Sequence, residues 1–177
     1  MKTPQWIKKL GGHAGELYVA AELSKRGIPN ALLPENFSDD DILVGGKDGS
    51  VICFIQVKAC HPDRSSTFIL QAKNEEWQTA PLNQFVVFVW LGSPRRNESP
   101  RYWVAPKREV GAECAAHSAH GTHNWERRFG PAKFPAAWRD NWPIIEALVA
   151  AVPNSALQPT AGARRSSKKR QLRAGRG

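Results

Sequence analysis

The chain has 177 residues, 41% of them hydrophobic, and a formal net charge of +9. That length makes a single domain with one packed core. No apolar run approaches the roughly 20 residues needed to cross a bilayer, and the N-terminus has no charged region followed by an apolar block, so no secretion signal is read and a cytoplasmic location is expected.

Residues 1–10 read as a short basic lead. Gly11 to Gly27 reads as a first helix, with Gly27 placed as a C-terminal cap after Lys25 and Arg26. Residues 41–44 make a short strand. The turn residues Gly45-Gly46-Lys47-Asp48-Gly49 follow. Residues 51–58 make a second strand, apolar enough to be covered on both faces, and the two strands form a hairpin. Thr67–Leu70 is extended and leads into a short helix near 73–79. Strands follow at 85–91 and 102–105, then a helix at 107–117. Residues 118–140 carry His, Gly, Pro and Trp without a clear period. A last helix spans 142–152, with Pro143 in its first turn. The order α-β-β-β-α-β-β-α predicts an α/β fold, a central mixed sheet flanked by helices.

Two elements place polar groups where apolar ones are expected. In the first helix Glu16, Val19, Ala20 and Leu23 fall at i, i+3, i+4 and i+7, so Glu16 shares the apolar stripe. A carboxylate buried there needs a cation or hydrogen-bond partners; the alternative is a wet position near the helix start. In the second strand of the hairpin, alternation puts Ile52, Phe54, Gln56 and Lys58 on one face. An amide and an ammonium thus emerge together from a strand otherwise suited to the core. The hairpin brings Asp41 towards them. Taken singly, Lys58 reads as a strand end and Asp39-Asp40-Asp41 as a solvated loop. Together they are the oxygen-rich set that phosphodiester hydrolysis requires: a hard cation held by Asp41, the Gln56 amide oxygen and the Val57 carbonyl, with Glu16 reaching the cation directly or through water and Lys58 offsetting charge on phosphorus.

Gly15-Glu16 on a helix, Asp41-Ile42 on a strand and Gln56-Val57-Lys58 on the next resemble the PD-(D/E)xK nuclease superfamily. The resemblance spans roughly residues 10–105, and the runs Phe85–Leu91 and Tyr102-Trp103-Val104-Ala105-Pro106 are similar to small prokaryotic members. Gln56 stands where the family more often has Glu or Asp, a Gln-x-Lys variant known among active members. Asp40 stands where the family name has Pro. Asp39 or Asp40 are alternatives for the working acid; Asp41 is preferred because it directly precedes the apolar run.

The resemblance implies a restriction-endonuclease-like core and a Mg2+-dependent endonuclease, with Mn2+ as a substitute cation. Glu16, Asp41, Gln56 and Lys58 would be its catalytic residues, and Glu16, Asp41, Gln56 and Val57 its metal ligands. Nucleic acid, foremost DNA, is the implied partner, with a homodimer as a further expectation and no membrane association. The alternative is an inactive nuclease fold that binds nucleic acid, or an interaction module whose Lys58 and acids form a structural ion pair.

Other features take plainer readings. Cys53, Cys60 and Cys114 are odd in number, contain no C-x-x-C pair and read as free thiols. Cys114, His117, His120 and His123 recur every third residue, a set of zinc-type ligands at steps that do not match finger spacing. Trp77, Trp90, Trp103 and Trp142 read as core. Trp125 beside Arg127 and Arg128 reads as packing, or as a base-stacking position. Gln71 and Lys73 are expected to line the cleft. Seven Lys or Arg and no acid fall between Asn154 and Gly177, leaving a net +2 over residues 1–153. The expected organisation is a nuclease-like domain at 1–153 and a disordered basic tail at 154–177.

Overall fold

The computed structural model describes residues 4–35, 38–117 and 126–152. Its first helix, α1 (Gln5–Lys25), begins six residues before the expected start at Gly11. The basic lead expected at residues 1–10 is thus helical from Gln5 onward, and the helix runs through Gly11 and Gly12, although glycine disfavours a helix interior by about 1 kcal/mol relative to Ala. The helix end is where the sequence puts it. Gly27 has φ +72°; its N–H reaches the Ser24 carbonyl at 2.9 Å and the Ile28 N–H reaches the Leu23 carbonyl at 3.0 Å. That is a Schellman motif, and its apolar pair, Leu23 and Ile28, is buried in the core.

Five strands form the main sheet: β1 (Asn30–Leu32), β2 (Ile42–Gly45), β3 (Val51–Cys60), β5 (Gln84–Trp90) and β6 (Arg101–Pro106). Their order is β1-β2-β3-β5-β6. The hairpin β2–β3 is antiparallel, with Ile42 opposite Ile55. β3 and β5 run parallel, with Gln56 beside Val86 and Lys58 beside Phe88. The sheet is therefore mixed and β3 is central, as its near-continuous apolar run requires. The Phe68–Gln71 strand, β4, leaves this sheet and pairs antiparallel with β7 (Glu126–Phe129). Neither β1 nor β7 is expected from the residue pattern: each is three or four residues long, and β7 carries Glu126, Arg127 and Arg128.

The sheet is covered on both faces. On one side α1 and α3 (Pro143–Ala150) pack Val19, Leu23, Trp142 and Ile145 against Val44, Cys53, Ile55 and Val87. On the other, the β4–β7 ribbon, α2 (Lys107–Ala116) and the segment 131–138 enclose Phe68, Phe88, Trp103, Phe129, Phe134 and Trp138. Trp103 and Trp142 are buried, and Trp77 and Trp90 pack against the second cluster. All three cysteines are free and buried. No helix among the described residues is long and apolar enough to cross a membrane.

One contact fixes the height of α1 above the sheet. A Cβ built on Gly15 would lie 2.6 Å from the Ala59 Cβ and 3.4 Å from Val57 Cγ1. Glycine lets α1 seat directly on β3, one residue before Glu16. Gly15→Ala is therefore expected to lower stability by about 1–2 kcal/mol: overpacking costs about 1–3 kcal/mol, offset in part by better helix propensity. A melting curve checks this. Recovery in the double variant Gly15→Ala/Ala59→Gly identifies the clash as the cause, and an unchanged melting temperature in Gly15→Ala contradicts it.

Candidate active site

The candidate residues Asp41, Gln56 and Lys58 are brought near one another because β3 is longer than β2. Pairing between them begins at Ile42–Ile55, and the Asp41 N–H still reaches the Ile55 carbonyl at 2.9 Å. Beyond that point β3 continues alone on this edge. The next N–H on the edge, that of Val57, is taken by the Asp41 side chain, whose Oδ2 accepts it at 2.6 Å. A strand residue directs its N–H and C=O to the same neighbour, so the Val57 carbonyl also points to the Asp41 side.

The alternation expected in β3 holds through the site: Cys53, Ile55 and Val57 are buried under α1, while Phe54, Gln56 and Lys58 are half-buried on the other face. Gln56 and Lys58 open into a cleft of about 300 Å³, where Asp39, Gln71, Lys73 and Trp77 also contribute. Gln71 and Lys73 are thus where the sequence put them. The Gln56 Oε1 is buried and has no hydrogen-bond partner. An unsatisfied buried amide oxygen carries a desolvation penalty of about 1–3 kcal/mol. It is also an oxygen ligand with its lone pairs free.

Glu16 approaches from the α1 side. Its side chain is 30% exposed and its Oε2 lies 3.3 Å from His13 Nδ1. It lines a separate hollow with Trp6, Leu10 and Glu35 rather than the Gln56 cleft. Glu16 is nonetheless close enough to act on Asp41 electrostatically. Burial raises the Asp41 carboxyl above its ordinary value; the Val57 N–H and the Lys58 charge pull it down, and the charges of Glu16 and Asp40 push it up. Burial lowers Lys58; Asp41 and Asp39 oppose this, and Lys107 and Lys73 reinforce it. Asp41 is thus coupled electrostatically to both Glu16 and Lys58, while Gln56 shares the strand face and cleft of Lys58.

The three consecutive acids have three environments. Asp40 is buried and its Oδ1 lies 2.9 Å from Lys107 Nζ, itself buried at the start of α2. Asp40 is therefore already paired. Asp39 is exposed at the cleft, and Asp41 caps Val57. Among the described residues Lys58 makes no direct ion pair; the structural pair is Lys107–Asp40 instead. Lys107 escaped the sequence reading because nothing in Pro106-Lys107-Arg108 signals a buried lysine. It also lies over the Trp77 ring at 5.2 Å, and so joins the base of the cleft to the acid run.

The oxygen donors suit a hard cation. Among the described residues no three His, Cys, Asp or Glu side chains cluster as a metal site; the candidate donors would be the carboxylate of Asp41, the Gln56 amide and the Val57 carbonyl, with Glu16 on α1. The donor set and the unpartnered Gln56 Oε1 fit a divalent cation. Of the zinc-type run, Cys114 is a fully buried core residue and His117 packs on Phe129. His120, His123, Trp125 and the tail from 154 lie outside the described residues.

No family model matches the chain, and no curated protein matches it. Among solved structures the chain is similar to a bacterial homing endonuclease, at 14% identity and a TM-score of 0.48, over 81% of this chain and 94% of that one.

Proposed function

We propose that the protein is a metal-dependent nuclease of the PD-(D/E)xK kind that hydrolyses phosphodiester bonds in DNA. The observation that carries this reading is the unpartnered, buried Gln56 Oε1, set on the same strand face as Lys58 and one residue from the N–H that Asp41 holds. Asp41, Gln56 and the Val57 carbonyl would hold Mg2+ or Mn2+, with Glu16 contributing from α1. When bound, such a cation polarises the phosphate and lowers the pKa of bound water. Lys58 holds its charge in a partly dry cleft, where it is stronger than in water; it orients the attacking water and offsets charge developing on phosphorus. Asp41 must be ionised to serve. Cleavage is therefore expected to fall as pH drops through the Asp41 pKa, which burial raises from its ordinary value.

A second reading, binding without turnover, is favoured by the neutrality of Gln56 and by the engagement of one Asp41 oxygen with Val57. Both readings are tested by Mn2+ titration of Gln56→Glu and Asp41→Ala. A full carboxylate at 56 is expected to tighten the cation by about tenfold through added ligand charge, and Asp41→Ala to abolish binding. Equal affinity in all three proteins would remove the metal site. Cation binding with no turnover of DNA would select the second reading.

A further inference from the structure

Next to the cleft runs a larger groove, of about 530 Å³, between the start of α1 and the β3–β4 connection. We propose that this groove seats the sugar-phosphate backbone of a nucleic-acid strand on one side of the bond to be cut; the assignment rests on the nuclease reading above. Lys58 and Ile69 line both hollows, so the groove and the cleft adjoin at the residue proposed to act on phosphorus. Lys8, His61 and Arg64 also line it, and no Asp or Glu is among its described lining residues.

Among the described residues Lys8 has no ion pair. Arg64 donates from Nη1 to the Ile7 carbonyl at 3.2 Å, which ties the β3–β4 connection to α1 without neutralising the guanidinium. Arg128, at the groove's edge, is offset by Glu126 and adds little. The contrast is the hollow on the other side of α1, where Glu16 and Glu35 balance Lys9 and His13. Of these two hollows the groove beside Lys58 carries the excess positive charge among the described residues, and its walls of Ile7, Phe68 and Ile69 reduce the screening of that charge. A linear polyanion that threads from Arg64 past Lys8 to Lys58 matches this distribution.

The test is fluorescence anisotropy with a labelled 20-base-pair DNA, in EDTA, from 50 to 300 mM salt. The full chain is used, so the basic tail contributes equally to every variant. In Lys8→Gln/Arg64→Gln the slope of log affinity against log salt is expected to fall by about 1.8, since each neutralised phosphate contributes about 0.9. Arg95→Gln/Lys133→Gln removes the same charge from two exposed residues that line neither hollow and is expected to leave the slope unchanged. Arg64→Lys keeps the charge and is expected to bind as the parent does, which separates lost charge from a disturbed loop. The proposal is overturned if the groove variant and the control variant give the same slope. Groove-dependent binding without Mg2+-dependent cleavage would remove the nuclease reading and leave the groove; cleavage with an unaltered slope in the groove variant would do the reverse.

Discussion

Lys58→Met is expected to abolish DNA cleavage, by a hundred- to thousandfold or more in kcat, while leaving the protein at least as stable as the parent. The two effects have one origin. Burial disfavours the charged ammonium; the attraction of Asp41 and Asp39 offsets the repulsion from Lys107 and Lys73 but not the cost of burial. The folded-state pKa is therefore below the unfolded one, so folding is penalised while Lys58 is charged in both states. The penalty is present in full below the folded pKa and is relieved as pH rises through it. Methionine keeps the stem and removes the charge. A gain on the order of 1 kcal/mol follows, in line with replacement of buried charges by apolar groups, which is a rise of about 2–4 °C for a domain of this size.

Asp41→Asn should behave alike. Its carboxyl is raised chiefly by burial, so the parent gains stability as pH falls through the raised pKa, and the amide variant lacks that gain. Its oxygen can still accept the Val57 N–H. Activity lost together with several kcal/mol of stability, in either variant, would mark the residue as structural.

Lys107→Met is expected to do the opposite: a large loss of stability. It leaves Asp40 buried without its counter-ion. The remaining polar neighbour is the Gln84 amide at 3.5 Å, a long hydrogen bond to a neutral donor. Breaking a buried pair by removal of one partner costs about 3–5 kcal/mol, a fall of about 10 °C in melting temperature for this size. Asp40→Asn/Lys107→Met should recover most of that loss. A double-mutant cycle measured by urea denaturation checks both statements. If the single variants lose stability independently and additively, the pair is not the link that fixes the acid run to α2.

The same two lysines show what the sequence carried and what it did not. Lys58 was legible because alternation along an eight-residue apolar strand fixes which side chains share a face, and β3 keeps that alternation through Cys53–Lys58. The hairpin partner Asp41 was legible from the glycine turn between the strands. Lys107 was not, because its burial depends on α2 closing over a cleft 67 residues away in sequence. The start of α1 differs because residues 1–10 read as a basic lead, whereas the helix takes in Gln5–Leu10 and runs on through Gly11 and Gly12. β4 was legible as extended but not as a separate ribbon, since its partner β7 lies in a charged segment with no strand pattern. The placement of Glu16 was half legible. The stripe gave its face, yet Gly15 takes the contact with β3 and Glu16 sits at the edge.

The most direct test of the central claim is cleavage of supercoiled DNA by the purified full chain with Mg2+, with Mn2+ and with EDTA, beside Asp41→Ala and Lys58→Met. The account predicts nicking that needs the cation and disappears in both variants while both remain folded. A folded parent protein that leaves supercoiled and single-stranded DNA intact with either metal, or nicking that persists in both variants, would contradict it.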